Sequence, residues 1–236
     1  MAKGSKKVLL RNVMKAKFQN CFVPVAKRLM DKKQLGSVTF EAYFNHVLFH
    51  ELSHGLGPGT ITVEGGRQTE VRLELKELYS PIEEAKADVV GAWNILYLVD
   101  RGIMNARIEK KLHITTIAGL FRAARFGIHE AHGRSVLIQY NYLTEQEAVT
   151  LKPTGRHSVR IDRMRDAIRE LSTQLLMIEA QGSYSKAADF LRQYGAENPE
   201  LQVAMKKVDT VPIDIEPVYP LAQEILMDEA RAQENI

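Results

Sequence analysis

The residues best placed by type and spacing to do chemistry are His50, Glu51 and His54, in the run His50-Glu51-Leu52-Ser53-His54. Side chains four apart on a helix project from one face a turn apart, so both imidazoles can reach a single metal ion. Glu51 leans toward the same point, where it can take a proton from an activated water. The three lie within the apolar run Phe44–Leu56. Two imidazoles and a carboxylate packed beside Phe44, Val47, Leu48 and Phe49 are costly unless something coordinates or bonds them. The rival reading is a buried helix whose histidines find local partners.

This is the HExxH pattern of zinc hydrolases, in which three protein ligands leave a fourth position for water. With Cys21 the only cysteine, the third ligand must be a histidine or a carboxylate. Glu84 and Asp88, in Glu83-Glu84-Ala85-Lys86-Ala87-Asp88, share a helix face four residues apart. One can bind the metal while the other accepts the spare N–H of a ligand histidine and fixes its tautomer. Glu83 is a further candidate to support a ligand, and Glu83 and Glu84 also suit the positive end of a helix dipole. The Glu84/Asp88 spacing resembles the ExxxD element that supplies the third ligand in thermolysin-like gluzincins.

The residues also resemble a family. His50–His54, with Phe44-Asn45-His46 before it, Gly55-Leu56-Gly57-Pro58 after it and the Glu83–Asp88 run downstream, is similar to the zinc-binding half of dipeptidyl peptidase III-like metallopeptidases. That family pairs its zinc motif with a Glu-Glu-x-x-Ala-acidic motif. The resemblance implies His50, His54 and Glu84 as ligands of one Zn2+ per chain, and Glu51 as general base. Dipeptidyl peptidase III proper has an extra residue inside its zinc motif, so this five-residue form is more like distant bacterial and plant relatives. Some of those are described as carrying a Nudix domain, yet the glutamates around Gly65–Glu84 do not fall at the spacing of a Nudix box. The full enzymes are longer and have a second lobe that anchors the peptide's amino end. Dipeptide-releasing specificity therefore does not carry over, and a catalytic-half fragment, a minimal relative and one part of a larger assembly remain alternatives.

The tetrahedral intermediate needs a donor for its oxyanion. His129, His132 and Arg134 follow the third-ligand helix, in the order gluzincins use for their transition-state histidine. His132 is the first choice for the donor and Arg134 for a substrate carboxylate or carbonyl; a surface histidine cluster is the competing reading. Tyr140 and Tyr142 suit the core. His113 and His157 show no partners in the sequence and are expected at the surface.

The elements that must position these residues are mainly helical. Thr39 suits an N-cap for a helix to about His54, ended by Gly55 and Gly57-Pro58. Gly59–Leu78 is the one β-like stretch, with Thr60–Val63 and Val71–Leu75 as short alternating runs around Gly65-Gly66, either a hairpin or an irregular loop. An edge strand there could bind an extended peptide. Ser80 as cap, Pro81 in the first turn and Glu83 closing a capping box open a helix to about Asp100. Further helices are expected near Thr115–Phe126, His129–Val149, Arg160–Ala180, Tyr184–Tyr194, Pro199–Lys207 and Leu221–Gln233, with an extended surface connection over Val211–Pro220. Phe18 to Met30 also has helical spacing, broken at Pro24. The expected fold is a single mainly α, zinc-metallopeptidase-like domain over residues 1–236. One small β element lies between the two metal-binding helices, the site lies within about 39–140, and helices over 156–236 pack on it.

The 236 residues can bury a substantial core, and 45% hydrophobic with 26% charged residues is ordinary for a globular chain. A net charge of +3 gives no case for nucleic acid or a membrane surface. The Lys3–Lys7 segment is expected to be a solvated tail. No apolar stretch reaches the roughly 18 residues of a membrane span. One cysteine and no secretory signal place the chain in the cytoplasm. The function these readings support is a zinc-dependent peptidase. The rivals are an inactive zinc-binding interaction module and a zinc hydrolase of small amides or esters. Peptide is the expected substrate, and a partner subunit could supply the missing lobe.

Overall fold

The computed structural model describes residues 6–127, 130–216, 218 and 225. The expected helix Leu221–Gln233 and His129 therefore lie outside the described residues.

The fold is mainly α with two small antiparallel hairpins, one more than expected. The chain enters through α1 (Arg11–Lys17) and α2 (Val23–Leu29), joined by a π-helical turn, Phe18–Phe22, rather than broken at Pro24. Pro24 has no N–H for the next helical bond and its ring would crowd the carbonyl a turn back. The wider π turn just ahead of it absorbs that mismatch, with the Val23 N–H donating to the Phe18 carbonyl.

α3 (Phe40–Ser53) begins where expected: the Thr39 hydroxyl accepts from the Ala42 N–H at 3.3 Å. His54 is its C-cap, and the chain turns away through Gly57 at φ 95°. β1 (Thr60–Thr62) pairs with β2 (Gln68–Glu70), placing Thr60 opposite Glu70. The second strand is thus not Val71–Leu75, which forms the short helix α4. Val71 and Leu75 are buried while Leu73 is exposed, so the five residues bury a four-residue stripe, not alternate positions.

α5 (Tyr79–Asp100) is the central element. It starts after a 3-10 turn, Lys76–Leu78, so Ser80 lies inside continuous helical backbone and caps nothing. The expected capping box does not form, and Glu83 is turned to other partners. Ile82, Val89, Ile95 and Leu96 bury its apolar faces, and Ala85, Ala87, Gly91 and Ala92 keep it slim enough for neighbours on several sides. α3, α7 (Ala131–Glu145) and α8 (Ile161–Gln181) pack against it, and α6 (Arg107–Ala123) closes on α3 and α7.

After α7, β3 (Val149–Leu151) and β4 (His157–Val159) make the second hairpin across the Pro153-Thr154-Gly155 turn. α8 buries Met164, Ile168, Leu171, Leu175 and Ile178 at helical spacing and ends at left-handed Gly182. α9 (Tyr184–Tyr194) and α10 (Pro199–Lys206) follow. Val211–Glu216 holds no helix, although Val211 itself is buried.

Two histidines expected at the surface are fully buried: His113 on α6 and His157 on β4. His157 Nε2 lies 2.9 Å from the Tyr140 hydroxyl, and its ring packs on Phe121. Burial pushes its pKa down to about 4. Tyr140 and Tyr142 are core, as expected.

Candidate metal centre

α3 and α5 cross so closely that a Cβ at Gly91 would stand 2.8 Å from the His50 backbone nitrogen and 2.9 Å from the Phe49 carbonyl carbon. Glu84, Asp88 and Gly91 are spaced i, i+4, i+7, so one stripe of α5 carries both carboxylates and the glycine that lets them approach α3. A mid-helix glycine on the carboxylate stripe is the sequence signal that marks this crossing.

At the crossing, one ligand atom from each of His50, His54 and Glu84 lies within 4.8 Å of the others. His50 Nδ1 donates to Asp88 Oδ1 at 2.7 Å, and His54 Nδ1 to Glu83 Oε1 at 2.9 Å. A carboxylate can only accept, so each ring carries a proton on Nδ1, and in the neutral ring the lone pair is then at Nε2. The two Nε2 atoms face each other at 3.1 Å. Glu84 Oε2 is buried, 3.5 Å from His50 Nε2 and 3.1 Å from His132 Nε2, and makes no well-formed hydrogen bond. With both rings neutral, three acceptors are directed at one point, an arrangement that a cation between them would relieve. Two imidazoles and a carboxylate fit zinc.

The surrounding charges support the rings. Burial alone would raise the Asp88 pKa, but the hydrogen bond it accepts from His50 holds it down at about 2. Conversely, burial works to lower the His50 pKa, and Asp88 overcomes it, raising it above the ordinary value. Gln139 on α7, fully buried, donates to the other Asp88 oxygen at 2.7 Å and also bonds Ser135. Sequence reasoning missed Gln139. Its signal was the spacing His132, Ser135, Gln139, one helical stripe leading from the candidate oxyanion donor inward.

The reacting side is more open. His132 reaches the cluster through Glu84 with its side chain 69% exposed. Glu51 is 35% exposed and pairs with Lys7 at 2.9 Å, so the end of the expected solvated tail touches the candidate base. That hydrogen bond lowers the Glu51 pKa. An exposed pair of this kind is worth at most about 1 kcal/mol, so it yields readily. Arg134 is half-buried, and among the described residues no hydrogen bond or ion pair ties its side chain to the cluster.

Solved structures share this fold. The chain superposes on dipeptidyl peptidase III from Caldithrix abyssi with TM-score 0.91 and 44% identity, covering 94% of this chain and 43% of that one. The enzyme from Corallococcus sp. strain EGB gives 0.90 and 40%, covering 96% and 42%. The chain is a partial, half-size homologue of dipeptidyl peptidase III. It is also 37% identical over 226 residues to a protein named Nudix hydrolase 3 from Arabidopsis thaliana, matching 95% of this chain and 29% of that protein. No family model matches the chain. It spans under half the length of these dipeptidyl peptidase III chains. Among the described residues, no helix is long and apolar enough to cross a membrane.

Proposed function

We propose that this chain is the zinc-holding catalytic half of a gluzincin-type peptidase, with His50, His54 and Glu84 holding one Zn2+. The observation that carries this reading is the pair of Nε2 atoms facing each other at 3.1 Å beside the unbonded Glu84 oxygen. When bound, zinc supplies a Lewis acid for the scissile carbonyl and lowers the pKa of attacking water toward neutrality. Asp88 and Glu83 keep the two rings in the tautomer that leaves Nε2 free. Glu51, released from Lys7, takes the water's proton and passes it to the leaving amine. His132, beside Glu84, donates to the oxyanion, and Arg134 binds a substrate carbonyl or carboxylate. The dipeptidyl peptidase III likeness supports a peptide substrate, and the uncovered remainder of those chains leaves room for a second lobe supplied elsewhere.

A second reading has one observation in its favour: the plant relative is named as a Nudix hydrolase, which points to a small non-peptide substrate. An inactive zinc-binding interaction module is the third.

Elemental analysis and a substrate screen on wild type and Glu51→Gln decide among them. The expected result is about one zinc per chain in both proteins, with peptide hydrolysis lost about 10³-fold in the variant. Turnover of small amides, esters or phosphate compounds without peptides moves the assignment to the second reading. Tight zinc with no turnover on any substrate pool moves it to the third. A zinc-free wild type sinks all three.

A further inference from the structure

Lys86 occupies a position that the Glu-Glu-x-x-Ala-acidic motif leaves open, yet its side chain is 2% exposed. An ammonium is almost never buried so completely without partners. Lys86 Nζ has three. It donates to the Ser53 carbonyl at 3.0 Å and the Leu56 carbonyl at 2.7 Å, and pairs with Glu83 Oε1 at 2.9 Å. That same Glu83 oxygen accepts from His54 Nδ1. Ser53 and Leu56 bracket His54 on either side of the turn that ends α3.

The turn is fitted over this lysine. A Cβ at Gly57 would meet Leu176 Cδ2 at 3.0 Å, Glu179 Oε2 at 3.6 Å and Lys86 Nζ at 3.8 Å, and Gly57 has positive φ. Glu179, buried on α8, closes the far side. Burial, aided by the neighbouring Glu83 carboxylate, pushes its pKa up to about 8. Among the described residues, Lys86 is the only lysine or arginine within hydrogen-bonding distance of Glu83, whose other ring partner is His54.

We propose that Lys86 is a positioning residue for the metal centre. Its ammonium ties the carbonyls that bracket His54 to the carboxylate that holds His54, fixing that ring's direction from both ends. His50 is set by its place in a regular helical turn. His54, the C-cap, has helix on one side only, and Lys86 supplies the missing constraint. The inference rests on the zinc reading above.

The test compares wild type with Lys86→Met, which keeps most of the side-chain volume and removes the charge. Zinc affinity is read by competition with a fluorescent chelator, and the zinc-free proteins are compared by melting temperature and by hydrogen exchange at the Leu56 amide. Lys86→Met is expected to bind zinc about 10- to 100-fold more weakly, with faster Leu56 exchange. A lysine that merely stabilises the fold would lower the melting temperature and leave the affinity of the folded protein within about twofold of wild type; that result overturns the proposal. A wild type that binds no zinc overturns the zinc reading and this inference together, whereas zinc in wild type with an unchanged variant overturns the inference alone. Where Lys86→Met does not fold, Lys86→Met combined with Glu83→Gln removes both buried charges. That double variant is expected to bind zinc at least about fivefold more weakly than Glu83→Gln alone, because two carbonyls lose their donor. Equal affinities there also overturn it.

Discussion

The two sides of the candidate centre are built differently. On the holding side, His50, His54, Glu83, Glu84 and Asp88 have side chains between 13% and 25% exposed, and each ring has a carboxylate behind it. Those carboxylates have partners of their own in Gln139 and Lys86. On the reacting side, Glu51 and His132 are more open, at 35% and 69%, and among the described residues the one side-chain partner of Glu51 is the exposed Lys7. The difference teaches which property needs the core. Holding an ion at fixed geometry requires rotamers locked by packing and hydrogen bonds. Groups that meet substrate must be reachable, and they gain their final alignment in the complex.

The comparison is broken most severely at the helix crossing. Gly91→Ala puts a methyl carbon against the α3 backbone, which cannot swing aside as a side chain would. Overpacking costs about 1–3 kcal/mol, and the better helix propensity of alanine offsets roughly 1 of that. The expected outcome is a melting temperature lower by a few degrees together with a marked loss of zinc affinity, measured by calorimetry and chelator competition. Undiminished zinc binding would show that the carboxylate stripe tolerates displacement from α3. Asp88→Asn is milder. The amide keeps the shape but can present its NH2 to His50 Nδ1, disturbing the tautomer, and zinc affinity is expected to fall about 10- to 100-fold. An unaltered affinity would mean that helix geometry alone aims His50. The smallest effect on holding is expected at the open side. His132→Ala should leave zinc content and melting temperature at wild-type values while slowing peptide hydrolysis; zinc loss there would move His132 to the holding side.

Much of the centre was legible because its spacing is local. His50 and His54, the Thr39 cap and the glycines after His54 all follow from helix periodicity over a few turns, as does the Glu84/Asp88 stripe. The misreadings share a cause as well. Val71–Leu75 alternates like a strand, and only burial of Val71 and Leu75 against the rest of the chain selects the helix. Ser80 and Glu83 match a capping box, but the 3-10 turn before Tyr79 carries the helix past that cap, and Glu83 faces His54 instead. His157 lacked a visible partner because its partner comes from another element: Tyr140 reaches it across 17 residues.

Sequence periodicity thus established which residues share a helix face: two histidines on one, two carboxylates on another. Helix geometry is fixed by bonds between residues three and four apart, so the sequence suffices for that. Which carboxylate serves which histidine was a matter of tertiary packing, because it depends on the angle and depth at which α3 crosses α5 at Gly91. The same holds for Gln139 behind Asp88, Lys86 beneath the turn and Lys7 on Glu51. Each joins a side chain to a group distant in sequence, for Lys86 the Ser53 and Leu56 carbonyls, and no short-range rule brings these to hydrogen-bonding distance.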